Sequence, residues 1–228
     1  MSTWAEHELA CHVCGAAMRA RVARGANAAR VPAIREDVLA RRFHRFTCAC
    51  GATTQVQTAF EYGDLDRGHL LLVAPPRALA EWESWEARLL ATEHRVRELG
   101  SPLVEAIVDR VQARVVFGLD ELREKLVLWQ VALDDALIEC VKVRALAHMP
   151  ALAARGSRLL VDAVNADDGL DCLWFAEAGA LTPARRLELP AAWVHEAARD
   201  AASLRARLPE LFRGGFVSLD RMRSHSAS

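Results

Sequence analysis

The chain has 228 residues, 52% of them hydrophobic, and its 29 basic side chains nearly balance 30 acidic ones, for a formal net charge of -1. This composition excludes a disordered chain and allows one large domain or two small ones. No segment approaches the roughly 18 to 20 apolar residues of a membrane helix, and Glu6 and Glu8 stand where a signal peptide would carry lysines. We therefore expect a soluble cytoplasmic protein without a membrane partner.

Two close cysteine pairs, each followed by glycine, lie in the N-terminal part of the chain. Cys11 and Cys14 form a C-x2-C motif, and Cys48 and Cys50 form a C-x-C motif. In a cytoplasmic protein such pairs favour a metal site over disulfides. Glycine after the second cysteine lets the chain leave each turn with positive φ. The four cysteines are the predicted ligands of one zinc ion.

The cysteine spacing does not by itself decide which residues bind the metal, because the second motif is one residue shorter than the first and its turn is tighter. His44 and His12 are the nearest substitute ligands, so a mixed cysteine and histidine site and a site that has lost its metal are the alternatives. Cys140 and Cys172 stand alone among apolar neighbours, as small core residues usually do.

Residues 1–76 are predicted to form a small, zinc-ribbon-like antiparallel sheet that is marginal alone and is held by metal. Pro32 is expected to open a short helix, PAIREDVLA, and Tyr62-Gly63-Asp64 is expected to be a turn. The predicted strands of this part are MRARV, RFHRF, ATTQVQTAF and HLLLVAP.

Residues 77–150 are predicted to be a helical part, because the period of the apolar residues changes there. Trp82, Trp85 and Trp129 are the candidate contact surface of this part, and the alternative is that they belong to the core. Asp134-Asp135 is interpreted as a helix cap or surface pair. The predicted helices are ALAEWESWEARLLATEHRVRELG, SPLVEAIVDRVQ, DELREKLVLWQ with Asp120 as its cap, and DDALIECVKVRALAH.

Residues 151–228 form a third, α+β region in this prediction. A three-stranded meander is expected over SRLLVDAV, GLDCLWFAEA and ARRLELP, joined by the turn segments NADDG and GALTP. A helix opened by Pro190 over PAAWVHEAARDAASLRARLPELF, a last strand in GGFVSLDRM and a frayed tail, RSHSAS, complete it. The fold class is therefore α+β, with a small antiparallel sheet, central helices and a C-terminal β-meander with a helix.

The cysteine motifs and the segments around them resemble the CpXC domain family of bacteria, which is named for two such motifs. The resemblance covers roughly residues 8–145, and it departs from the family at His12, where proline is usual, and in the missing spacer of the second motif. It implies a metal-binding fold and no particular reaction. The segments that carry it are VPAIREDVLARRFHRFTCACG, FEYGDLDRGHLLLVAPP, EWESWE, and VFGLDELREKL with ALDDALIECVK.

Residues 15–47 are strongly basic, since they contain eight arginines and two acidic residues, for a net charge of +6. Such a patch suits nucleic acid or an acidic protein surface, and Arg41, Arg42 and Arg45 are the residues that would test nucleic-acid binding. The alternative is a solvated surface balanced by the rest of the chain.

The sequence favours a non-enzymatic protein over an enzyme. G-x-S-x-G, P-loop and H-E-x-x-H motifs are missing, and four thiolates close the coordination sphere of zinc. We expect a structural zinc ion and a protein partner. Nucleic acid or the transcription machinery is the alternative partner, and a zinc-dependent hydrolase with an open site completed by His44 or water is less favoured.

Overall fold

The structure, a computed structural model, describes residues 1–98, 100–154, 156–177, 180 and 182–225. It divides into two compact units, Met1–Leu122 (unit 1) and Arg123–Ser228 (unit 2). The sequence-based division into three parts remains a prediction; its parts are residues 1–76, 77–150 and 151–228. Among the described residues, no helix combines the length and the apolar character needed to cross a membrane.

Unit 1 contains a five-stranded mixed sheet and a separate two-stranded hairpin. The order of the large sheet is β1-β2-β5-β6-β7, and the hairpin is β3-β4. The strands of this unit are β1 (Thr3–Ala10), β2 (Ala17–Asn27), β3 (Arg45–Thr47), β4 (Thr53–Gln55), β5 (Phe60–Asp64), β6 (His69–Ala74) and β7 (Gln112–Phe117).

The structure departs from the predicted antiparallel sheet in two of four pairings, one of which, β6 with β7, joins a strand outside residues 1–76. β1 with β2 and β5 with β6 are antiparallel, but β2 with β5 and β6 with β7 are parallel. Parallel neighbours need a crossover connection, which the strand patterns do not reveal. Helix α1 (Ala33–Leu39) and the β3-β4 hairpin make the first crossover, and helices α2 (Trp82–Arg97) and α3 (Pro102–Val108) make the second.

Two local predictions in unit 1 are also wrong. The segment predicted as one helix over SPLVEAIVDRVQ ends as α3 at Val108, and its last residue begins β7, whose Val115, Val116 and Phe117 are buried. The Tyr62-Gly63-Asp64 segment lies inside β5, and the chain reverses at Gly68 instead. Gly68 has φ +70°, and a Cβ there would lie 2.7 Å from the carbonyl oxygen of Arg110, so only glycine fits.

Unit 2 contains the meander, which is confirmed: strands β8 (Arg158–Val164), β9 (Leu170–Phe175) and β10 (Arg185–Leu189) pair antiparallel in the order β10-β9-β8. Two of the five residues of the GALTP turn, Gly179 and Leu181, lie outside the described residues. The chain's remaining helices are α4 (Leu119–Gln130), in which the division between the units falls, α5 (Asp135–His148), α6 (Ala191–Arg199), α7 (Ala201–Arg207) and α8 (Leu219–His225). The single helix predicted from Pro190 is wrong, because the chain turns at Asp200 between α6 and α7 and forms a 3-10 segment over Pro209–Phe212.

The predicted last strand, GGFVSLDRM, is wrong. Its second half forms helix α8, while Phe216 and Val217 are buried in a non-regular segment. The first half of RSHSAS belongs to the same helix, and the rest lies outside the described residues. Asp120 is the second residue of α4 rather than its cap, and its carboxylate pairs with Arg41.

Buried charges connect the elements of unit 2. The ammonium of Lys142 lies 2.7 Å from Glu124 Oε1 and 2.6 Å from Glu139 Oε1, and all three side chains are buried. Lys125 pairs with buried Asp135 at 2.9 Å. Lys125 and Lys142 are the only lysines in the chain, whose other basic side chains are arginines.

Candidate metal centre

The first cysteine motif forms the tight connection between β1 and β2. The backbone N–H of Cys11 donates to the carbonyl of Ala16, and the N–H of Gly15 donates to the carbonyl of Cys11. Gly15 has φ +72°, as the glycine in this position was predicted to have. The turn therefore returns the chain to an antiparallel strand and places Cys11 and Cys14 on one side.

The second motif forms the connection of the β3-β4 hairpin in the same way. The N–H of Cys48 donates to the carbonyl of Ala52, and the N–H of Gly51 donates to the carbonyl of Cys48. Gly51 has φ +85°. The turn comprises four residues from Cys48 to Gly51, against five from Cys11 to Gly15, so the missing spacer is absorbed by a shorter hydrogen-bonded turn.

The two turns bring all four cysteines together. Their sulfur atoms lie within 4.8 Å of one another, and this group could hold a metal ion. The Sγ atoms of Cys11 and Cys50 are 3.7 Å apart, and those of Cys14 and Cys48 are 3.6 Å apart. A tetrahedron with metal–sulfur bonds of about 2.3 Å has sulfur atoms about 3.8 Å apart, whereas a disulfide bond is about 2.05 Å long. The spacing therefore fits a tetrahedral ion, and the four cysteines are free thiols.

Each motif contributes one buried and one exposed cysteine. Cys11 and Cys48 are buried, at 3% and 6% exposure, and Cys14 and Cys50 are exposed. The close sulfur pairs join a buried cysteine of one motif to an exposed cysteine of the other. A metal ion here would cross-link the β1-β2 connection to the β3-β4 hairpin at the protein surface.

Backbone N–H groups favour negative charge on the sulfur of Cys11. The N–H groups of Cys14 and Val13 lower the pKa of the Cys11 thiol to about 6. The N–H of Ala16 lowers the pKa of Cys14, but the other three cysteines outweigh it and raise the pKa to about 12. The four sulfurs thus compete for negative charge. A bound divalent cation would resolve that competition, because a coordinating thiol loses its proton.

The two substitute histidines have other partners. His44 is buried, its Nε2 accepts a hydrogen bond of 2.8 Å from the N–H of Ala23, and its ring stacks on Phe43 at 4.1 Å. Burial lowers the pKa of His44 to about 4, so the ring is neutral. His12 Nδ1 lies 3.2 Å from Thr54 Oγ1 on the exposed side of the hairpin. Neither histidine belongs to the group of sulfurs.

The acidic pairs have structural roles, but Asp135 lies in the core and is neither the cap nor the surface residue that was expected. Asp134 is the N-cap of α5, where its side chain accepts hydrogen bonds from the N–H groups of Ala136 and Leu137. Asp135 pairs with Lys125 in the core.

The second acidic pair, Asp167-Asp168, lies in the turn between β8 and β9, where Asp168 has φ +61°. The side-chain oxygen of Asn165 accepts hydrogen bonds from the N–H groups of Asp167 and Gly169 there. Cys140 and Cys172 are buried core residues.

The fold and the site define an α+β protein whose N-terminal unit presents four thiols within 4.8 Å of one another. A family model described as CpXC protein matches residues 9–142, which include all four cysteines, so the chain belongs to the CpXC family, a family of unknown function. No curated protein and no solved structure matches the chain significantly.

Proposed function

We propose that the chain is a non-enzymatic protein in which Cys11, Cys14, Cys48 and Cys50 bind one structural zinc ion, and that it acts by binding a partner. The observation that carries the proposal is the convergence of four sulfurs within 4.8 Å with no other ligand type in the group. Four protein thiolates fill a tetrahedron and leave no position for water or substrate. When bound, the ion supplies a cross-link between two turns.

Zinc is favoured by the donor set. Four thiolates in a tetrahedral arrangement suit zinc or iron, and zinc needs no redox partner. Free thiols at this spacing require a reducing compartment, so the proposal includes a location in the bacterial cytoplasm. The hydrolase alternative needs an open coordination position, and the bond from Ala23 to His44 leaves that histidine outside the centre.

A protein partner is the first candidate, but its contact surface differs from the one expected. Trp82 and Trp129 are buried, which matches the core alternative, and the half-buried ring of Trp85 is covered by the guanidinium of Arg88 at 4.4 Å. Val13, between the two cysteines of the first motif, is 67% exposed, which makes it a candidate contact at the metal centre itself. Nucleic acid is the second candidate, and a hollow in unit 1 favours it.

Zinc-edge X-ray absorption on untagged protein, together with the metal content, tests the centre. We expect one zinc per chain with four sulfurs at about 2.3 Å. Cys14→Ser should remove a sulfur from the spectrum or abolish binding, whereas Cys140→Ala, which removes a cysteine outside the centre, should leave the spectrum unchanged. Three or fewer sulfurs with a nitrogen or oxygen ligand in the native protein would overturn the structural role, and protein without metal would overturn the site.

A further inference from the structure

Unit 1 carries a hollow that combines arginines with aromatic rings. We call it the arginine–aromatic hollow; it has a volume of about 280 Å³, and β1, β2, α1 and the segment that leads into β3 contribute to it. The lining side chains that matter here are Trp4, Arg21, Arg42, Phe43, Arg45 and Phe46.

The lining of the hollow is positively charged. It contains three arginines and one acidic residue, Asp37, which pairs with Arg42 at 2.9 Å. Arg21 stands opposite Glu6 in the β1-β2 ladder, so part of its charge is balanced. Arg45 is exposed and has no carboxylate within 4.0 Å among the described residues. The hollow therefore has a guanidinium that is ready to bind an anion.

Aromatic surface lies next to these charges. Trp4, on an edge strand, is 36% exposed, although the guanidinium of Arg21 lies 5.4 Å from its ring centre and Phe43 packs against it at 6.2 Å. Phe46 is half-buried in the same lining. Exposed tryptophan beside arginine is the combination that proteins use to stack bases and hold phosphates of single strands.

One side of this hollow is formed by residues that lead directly into the second cysteine motif. Arg45 and Phe46 begin β3, which pairs with β4 through only three residue pairs and ends next to Cys48. So short a hairpin has too few interactions to persist by itself. The position of Arg45 is therefore set in part by buried Phe43 and His44, which precede it, and in part by the cross-link that a metal ion at the cysteines would supply.

We propose that the arginine–aromatic hollow binds single-stranded nucleic acid, with phosphates at Arg45 and Arg42 and a base on Trp4. The inference rests on the proposed function, because the metal centre positions β3. An acidic protein surface would be attracted by the same arginines, but it has no need of aromatic faces. The participation of Trp4 therefore distinguishes the two partners.

Fluorescence anisotropy with a labelled fifteen-residue oligothymidine tests the proposal at low salt. We expect saturable binding that weakens as salt rises, and a shallower salt dependence for Arg45→Ala because one phosphate contact is lost. Trp4→Thr, which keeps a β-forming residue on the edge strand, should weaken binding about tenfold, and Trp4→Phe should weaken it less. Arg88→Ala is the matched control, since it removes an exposed arginine that lies on Trp85, outside the hollow.

The possible results distinguish a failure of nucleic-acid binding from a failure of the metal centre. Metal content and circular dichroism of every variant should equal those of the native protein, so that a loss of binding reports the hollow and not unfolding. Absence of binding at low salt with four-sulfur zinc intact would overturn the inference and leave the structural centre standing. Equal displacement by polyglutamate, with no effect of Trp4→Thr, would also overturn it and would assign the surface to acidic proteins.

Discussion

In unit 1 four thiols converge between two tight turns, whereas in unit 2 five charged side chains converge in the core. The thiols lie at the surface, and half of them are exposed. The charged groups are buried, and their carboxylates also accept backbone N–H groups: Glu124 from Val161 and Glu139 from Leu219. Each group of side chains joins segments that are distant in the sequence. The thiols do so at the protein surface, whereas the charged side chains do so in the core.

The difference shows what each kind of connection requires. A metal centre can fasten a hairpin of three residue pairs with little apolar burial, because the binding energy of the ion is itself folding energy. Buried charges stabilise only if every group is paired, since removal from water is costly. Burial lowers the pKa of Lys142, but the carboxylates of Glu124 and Glu139 outweigh this effect and raise the pKa, so the ammonium stays charged.

The largest expected effect is the loss of the metal centre. Cys48→Ser, or removal of metal with a chelator, should abolish protection of the β3-β4 amides in hydrogen exchange, because structural zinc sites contribute roughly 10 kcal/mol of apparent binding free energy. Amides in β8 and β9 of unit 2 should keep their protection. Cys140→Ala is the control that removes a thiol elsewhere. Retained protection of β3-β4 in metal-free protein would show that the hairpin does not depend on the centre.

The second effect is expected in the charge cluster of unit 2. Lys142→Met should lower the free energy of unfolding by about 3 to 5 kcal/mol, because it leaves Glu124 and Glu139 buried without a cation. Urea denaturation at neutral pH measures this change. The triple variant Glu124→Gln, Glu139→Gln, Lys142→Met should recover most of the loss, since no buried charge is left unpaired. A Lys142→Met protein as stable as the native one would contradict a paired cluster.

The third effect is a pH dependence in unit 1. His44 has a pKa of about 4 in the folded chain and an ordinary value of 6.5, so the unfolded chain binds more protons between these values. Stability from this residue is therefore complete above pH 6.5 and falls as pH drops towards 4, by about 3 kcal/mol.

The matched variant for this effect is His44→Gln, which has an acceptor and no titrating ring. Both proteins contain the same cysteines, so the difference between their unfolding free energies at pH 7 and pH 5 isolates the histidine from acid release of metal. The native protein should lose more stability over this interval than the variant. An equal loss would mean that the ring of His44 is not held neutral.

The smallest effect concerns a helix cap in unit 2. Asp134→Ala should lower the free energy of unfolding by about 1 kcal/mol, because the N–H groups of Ala136 and Leu137 lose their acceptor. Asp134→Asn keeps the cap but loses the 3.3 Å ion pair with Arg205. Thermal unfolding of both variants separates the two contributions, and an equal loss for asparagine and alanine would show that the ion pair, not the cap, stabilises α5.

The candidate site was predictable because its determinants are local. Cys-Gly at the end of each motif defines a turn with positive φ, and the structure has such a turn at Gly15 and at Gly51. The choice between cysteine and histidine was open, because His44 lies only four residues from Cys48. Its burial against Phe43 and its bond with the Ala23 N–H are long-range facts that the spacing does not contain.

The basic region was predicted from composition, but its effective charge was not. Arg19 and Arg21 stand opposite Glu8 and Glu6 in the β1-β2 ladder, and Arg41 pairs with Asp120, which is 79 residues away. These acidic partners lie outside residues 15–47 and reduce the positive charge of the patch. For the same reason the sequence does not indicate a role for Trp4: its neighbours Arg21 and Phe43 come from distant parts of the chain.

The sequence by itself determined the features that depend on a few neighbouring residues: the cysteine turns, the short helix after Pro32, the Asp134 cap and the C-terminal meander. Tertiary structure decided the features that depend on which segments meet. These features are the parallel pairing of β2 with β5, the strand β7 in a part predicted to be helical, and the burial of Trp82 and of both lysines. Dihedral preferences and turn chemistry act within a few residues, whereas strand partners and buried charges are chosen by packing and desolvation over the whole unit.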